Sequence, residues 1–196
     1  METSFLPEDK DRGRSVLEGQ LRESYGRVVY THKTQEECAD LLLERLAVIK
    51  VAQIILSALT TGGFVSVFLG SGDIGAGAGA VLSTALLALN AYTRNYDLGG
   101  EAQKHREAAA SIWFMRERYL ALLTDLAIGA RSVDEIIEER DNLLEDLQTV
   151  YATCPSTNDK AYKRAQRALK LAGDMSFCDE EIDAFLPKEL RRSASS

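Results

Sequence analysis

The chain has 196 residues, 45% of them hydrophobic, and its 30 acids against 23 Lys and Arg leave a net charge of -7. That length suits one domain, or a small domain with a helical extension, and the apolar share is enough for a real core, which excludes a disordered chain. A pI near 5.0 argues against DNA or RNA as the main partner, because neutralising phosphates takes a surplus of Lys and Arg on one face.

The mean hydropathy of -0.15 conceals a concentration of apolar residues between Val51 and Tyr92. Cys38, Cys154 and Cys178 are far apart and odd in number, so they form no disulfide framework and no paired metal-ligand motif, and reduced cytosol-facing thiols are expected. Residues 1–23 form a polar N-terminal segment. Its first part mixes Glu2, Glu8, Asp9 and Asp11 with Lys10, Arg12 and Arg14 and lacks an apolar h-region, so no cleavable signal peptide is expected.

From there Leu17, Leu21, Tyr25, Val28, His32, Leu42, Leu46 and Ile49 recur at steps that are sums of three and four, the period of one helix face. This predicts a long amphipathic helix, which Gly26 weakens by about 1 kcal/mol and either opens or kinks. Val51 to Gly72 then runs 22 residues without a charge, a helix of roughly 33 Å, which matches a bilayer core. After Asp73 come 20 more uncharged residues, Ile74 to Thr93, for a second span of roughly 30 Å. Gly70, Ser71, Gly72 and Asp73 join the two into a hairpin. Arg45 and Lys50 precede it and Arg94, Lys104 and Arg106 follow it, which predicts a multi-pass membrane protein with both termini in the cytoplasm. A buried hairpin in a soluble bundle is the alternative, since Gly, Ser and Thr lower the apolarity of both spans.

Beyond the hairpin, Ala108, Ile112, Met115, Tyr119, Leu122 and Leu126 lie on one stripe of a helix from Glu101 that Ile128 and Gly129 close. Ser132 and Glu135 form an S-x-x-E capping box for a helix to about Tyr151. Pro155 to Asn158 is a turn, a helix follows from about Asp159 to Leu171, and Asp179 to Leu186 adds a short one. The expected fold class is all-α: an amphipathic helix leading into a two-helix transmembrane hairpin, then a cytosolic bundle or coiled-coil-like extension. The divisions are 1–23, 24–130 with spans at about 51–70 and 74–93, and 131–196.

Several motifs have competing readings. Gly70, Gly72 and Gly75 in GSGDIG satisfy GxGxxG, and Asp97 sits where a ribose-binding acid would, but a lone fingerprint without its βαβ context is weak. Gly75 and Gly79 form a GxxxG, with Ser83 and Asn90 on nearly the same face, which suits close approach to another helix. Gln53, Ser57, Thr60 and Thr61 make a polar face on the first span. These eight residues are the candidates for a helix interface or for the wall of a pore built from several copies, because two helices enclose no water-filled path alone. In the extension, an acidic helix with Glu139 and Asp146 among seven acids precedes a basic one with Lys160, Lys163, Arg164, Arg167 and Lys170. The two either pair, with Ile136, Leu143, Leu147 and Val150 as the apolar seam, or present solvated faces. His32 and His105 are 73 positions apart and the cysteines are scattered, so no catalytic residue, metal site or cofactor is assigned.

The helix SYGRVVYTHKTQEECA leading into LAVIKVAQIILSALTTGG, the Gly/Ala-rich second span through LNAYTRNYDLGG and the helix EAQKHREAAASIWFMRERYLALL together resemble the SLATT family, over roughly Ser24 to Ala130. Members are two-transmembrane effector domains found beside nucleotide second-messenger synthases and nucleotide-sensing domains in bacterial defence loci. The resemblance implies a pore-forming or membrane-disrupting effector in abortive infection, triggered by a nucleotide signal or an associated sensor. It implies as partners the lipid bilayer, further copies of the chain, and a nucleotide-synthase or sensor-linked defence protein. The alternatives are a non-conducting membrane scaffold, or a soluble adaptor, that recruits a partner through the C-terminal helices.

Overall fold

The computed structural model describes residues 7–68, 72–169, 179–186 and 188–192. Among the described residues six helices follow in chain order: α1 Pro7–Phe68, α2 Gly72–Asn95, α3 Leu98–Ile128, α4 Val133–Thr153, α5 Asp159–Ala168 and α6 Asp179–Phe185, then a turn of 3-10 helix at Lys188–Leu190. The fold is all-α, with no strand among the described residues. Cys178, Gly70, Ser71 and the end of the expected helix to Leu171 lie outside the described residues.

α1 is continuous for 62 residues, with Pro7 at its first position, where a missing N–H costs nothing. Gly26 neither starts nor interrupts it. Tyr25, Val28 and Val29 beside that glycine are each 5% exposed or less, and burial worth about 1.5 to 3 kcal/mol per large side chain outweighs the weak helix former.

The chain divides into two compact units, one of residues 1–38 with 104–196 and one of residues 39–103. Both boundaries fall inside helices, α1 and α3.

In the first unit, Leu17, Leu21, Tyr25 and Val28 of α1 pack with Ile112, Met115, Tyr119 and Leu122 of α3 in one apolar cluster. The same cluster takes Ile136 and Leu143 of α4, with Leu147 and Val150 at its edge. α4 starts as the capping box requires: the Ser132 hydroxyl accepts from Glu135 N–H, and the Glu135 carboxylate accepts from Ser132 N–H at 2.7 Å. The acids of α4 meet a cation on α3, since Arg118 pairs with Glu139 at 3.0 Å and Asp146 at 2.5 Å. α5 is capped by Asn158, buries Ala161 and Ala165, and stacks Tyr162 on Tyr30 of α1 with ring centroids 6.0 Å apart.

The C-terminal segment is bound to the first half of α1. Ile182 and Leu186 enter the core cluster, and Tyr25 donates its hydroxyl to the Phe185 carbonyl at 3.0 Å. Arg22, 1% exposed, donates to Asp183 and, at 2.7 Å, to the Leu190 carbonyl. Arg192 reaches Glu18 at 3.2 Å and Asp179 at 3.3 Å.

Candidate functional site

The second unit is a helical hairpin formed by α1 from Ala39 onward, α2 and the start of α3. Two helices of opposite direction can approach closely only where side chains are small. At Gly63 a methyl group would stand 3.9 Å from the Cα of Gly79, ordinary contact distance, so α1 and α2 nearly touch there through their backbones. Toward the other end, the Gln53 amide donates to Asn90 Oδ1 at 2.9 Å and to Thr93 Oγ1 at 3.4 Å. A face of Gln53, Leu56, Thr60 and Gly63 on α1 is therefore half-buried, at helical steps of three and four.

The structure divides the candidate residues between two surfaces. Gln53, Thr60, Gly75, Gly79 and Ser83 are buried or half-buried, and Asn90, though exposed, is tied to Gln53. Ser57 and Thr61 are exposed instead. A residue four positions on from Gln53 has turned by about 40° and one eight positions on by about 80°, enough to leave a narrow contact. Two exterior threonines are satisfied within their own helix: Thr61 donates to the Ser57 carbonyl at 2.9 Å and Thr84 to that of Ala80 at 2.9 Å. Such back-bonding lets a threonine face an apolar medium without an open donor.

Gly63 and Thr93 were not among the sequence candidates, and each had a signal. Gly63 continues the spacing Gln53, Leu56, Thr60, and Thr93 follows Asn90 by three positions on the same face. Asp97, the residue that suggested a ribose contact, caps α3: its Oδ1 accepts from Gly100 N–H at 2.9 Å. A Cβ at Gly100 would collide with that carboxylate, which explains the glycine.

The remaining surface of the hairpin is apolar and open. Ile54 is 69% exposed, Val81 70% and Leu87 69%, and Val51, Ile55, Leu59 and Val65 are each above half. Among the described residues, a helical stretch within Gly75–Ile128 is long and apolar enough to cross a membrane, with mean hydropathy 1.3 over 18 residues that are 6% buried. The core helix of a soluble protein is apolar because it is enclosed. This one is apolar and almost bare, the condition of a helix whose solvent is lipid.

The profile of the SMODS and SLOG-associating 2TM effector domain family 4 matches residues 17–181. It begins at the first buried leucine of α1 and runs past Ala130 through α4 and α5 into α6. Neither a curated protein nor a solved structure matches the chain. A profile that covers most of the chain, on a helical hairpin with an unenclosed apolar exterior, identifies it: the chain belongs to the SMODS and SLOG-associating 2TM effector domain family 4.

Proposed function

We propose that the chain is a two-pass inner-membrane effector of bacterial anti-phage defence that oligomerises through its hairpin and permeabilises the membrane when a nucleotide signal or an associated sensor engages its helical bundle. The observation that carries this reading is the bare apolar exterior of α1 and α2, with Ile54, Val81 and Leu87 all more than two-thirds exposed. Lipid satisfies that surface, and so does a second copy of the hairpin. The interior of one hairpin is closed by the Gln53–Asn90 bond and the Gly63–Gly79 approach, so a conducting path runs between hairpins. Ser57 and Thr61, exposed on the exterior, supply the hydroxyls that line it. Both termini lie in the cytoplasm, on the side of Arg45, Lys50 and Arg94.

The test has two stages. Membranes from expressing cells are washed with alkaline carbonate, and the chain is expected to stay in the pellet; release would overturn the two-pass reading. Membrane potential and growth are then followed on activation for the native chain and for Ser57→Leu with Thr61→Leu. The double variant is expected to stay in the pellet and lose toxicity, and undiminished toxicity at equal expression would sink a pore lined by these residues.

A further inference from the structure

At the open end of the hairpin, where the uncharged spans finish, two tyrosines and an arginine come together, and two further cations stand at the same ends of the spans in sequence. Tyr92 in the last turn of α2 and Tyr96 just beyond its end stack with ring centroids 4.8 Å apart. The Arg45 guanidinium lies over the Tyr92 ring, 5.3 Å from its centroid. Arg94 sits in the last turn of α2, and Lys50 immediately precedes the uncharged run on α1. Tyr96 is 61% exposed, and Arg45, Lys50 and Arg94 are exposed as well. Among the described residues no carboxylate pairs with any of these three cations. Asp97, the nearest acid in sequence to the tyrosine pair, is occupied in capping α3.

We infer that this cluster is a binding site for the headgroup of an anionic phospholipid in the cytoplasmic leaflet. The inference rests on the membrane-spanning reading of the hairpin and adds the lipid class to it. A guanidinium that uses its face on a ring keeps its edge N–H donors free, and those donors fit a phosphodiester in a forked geometry that an ammonium cannot copy. Tyrosine prefers headgroup depth, where its ring is in acyl chain and its hydroxyl in water. Each cation near an anionic surface strengthens attraction by about fivefold, so Arg45, with Arg94 and Lys50 at the same ends of the spans, favours an anionic lipid over a zwitterionic one. The Gln53–Asn90 bond sits just inside this rim, so a lipid held there braces the joint that fixes the two spans.

The test uses the full chain purified in detergent, with dioleoylphosphatidylglycerol and dioleoylphosphatidylcholine added at matched concentration and retained lipid counted by native mass spectrometry. The phosphatidylglycerol adduct is expected to exceed the phosphatidylcholine adduct by at least about fivefold. Arg45→Gln with Arg94→Gln is expected to cut the ratio by about fivefold or more, leaving what Lys50 alone supplies, while Arg45→Lys keeps it above that of the double variant. Equal retention of the two lipids by the native chain, or an unchanged preference in the double variant, overturns the site. Loss of the adduct to millimolar inorganic phosphate would mean a site for a free anion and overturns the lipid assignment. Carbonate washing of both proteins separates the two levels: release from the membrane defeats the spanning reading, whereas retention without lipid preference defeats only the headgroup site.

Discussion

Arg22 and Asp183 meet as an ion pair, 1% and 3% exposed, although 161 positions separate them in the chain. Two charges are withdrawn from water to fasten the C-terminal segment to α1, and the Leu190 carbonyl and Arg192 N–H supply the flanking hydrogen bonds. Removing one member of a buried pair leaves the other uncompensated, at about 3 to 5 kcal/mol, whereas replacing both with apolar groups is often neutral. Asp183→Ala is therefore expected to lower the thermal midpoint sharply and expose residues 179–192 to hydrogen exchange. Arg22→Met with Asp183→Leu is expected to recover most of the loss. If the single variant melted like the native chain, the pair would not be the fastening.

His32 gives the bundle a dependence on pH. Its ring is mostly buried, and desolvation lowers its pKa from the ordinary 6.5, with Arg116 and Lys33 pushing the same way and Glu36, 3.8 Å from Nε2, opposing. The folded chain thus prefers the neutral ring more than the unfolded chain does. The stabilisation is complete above 6.5 and is lost as pH falls through the depressed folded value. Thermal midpoints measured from pH 7.5 down to 5.5 are expected to decline, and His32→Gln to flatten that decline; identical slopes would remove His32 as its source.

Within the hairpin, α1 comes close to α2 at Gly63, beside the backbone of Gly79. A methyl at Gly63 meets Gly79 Cα at ordinary contact distance, so Gly63→Ala is expected to be tolerated and to add up to about 1 kcal/mol through helix propensity. Gly63→Leu needs room that two opposed backbones do not leave, and is expected to split the hairpin and break the Gln53–Asn90 bond. Melting in detergent micelles distinguishes the two. A leucine variant as stable as the alanine variant would show that the helices do not approach here.

Ser132 and Glu135 close the start of α4 reciprocally. Ser132→Ala is expected to cost about 1 kcal/mol. The bonds from Ser132 hold the Glu135 carboxyl below its ordinary 4.5, so the carboxylate's own share of the closure is present above 4.5 and is lost as pH falls through the lowered value. Hydrogen exchange at the first turn of α4, compared at pH 6 and pH 3.5, reads both effects, and equal protection in native and variant chains at pH 6 would dismiss the cap.

Helix periods were legible where one face has a single job. The stripe Ala108, Ile112, Met115, Tyr119, Leu122, Leu126 is buried throughout its length, and the capping box of α4 forms as spaced. The polar residues of the spans were less legible, because a 3.6-residue period divides neighbours finely: Thr60 is half-buried and Thr61 exposed. Gln53 reaches Asn90 and Thr93, a choice of partner that depends on the register of two helices and leaves no local mark. The bond between Arg22 and Asp183 was invisible for the same reason. Each residue alone reads as a solvated charge, and only the folded path brings them together.

The unit that joins residues 1–38 to 104–196 also imposes an order on synthesis. Leu17 and Leu186 belong to one core cluster, yet at about 5 to 20 residues per second a ribosome needs roughly ten to thirty seconds to pass from one to the other. The whole of α2 is made in that interval. The bundle is therefore a late closure, completed only after every residue of the second unit has been made, and until then Leu17 and Leu21 of α1 wait for part of their cover.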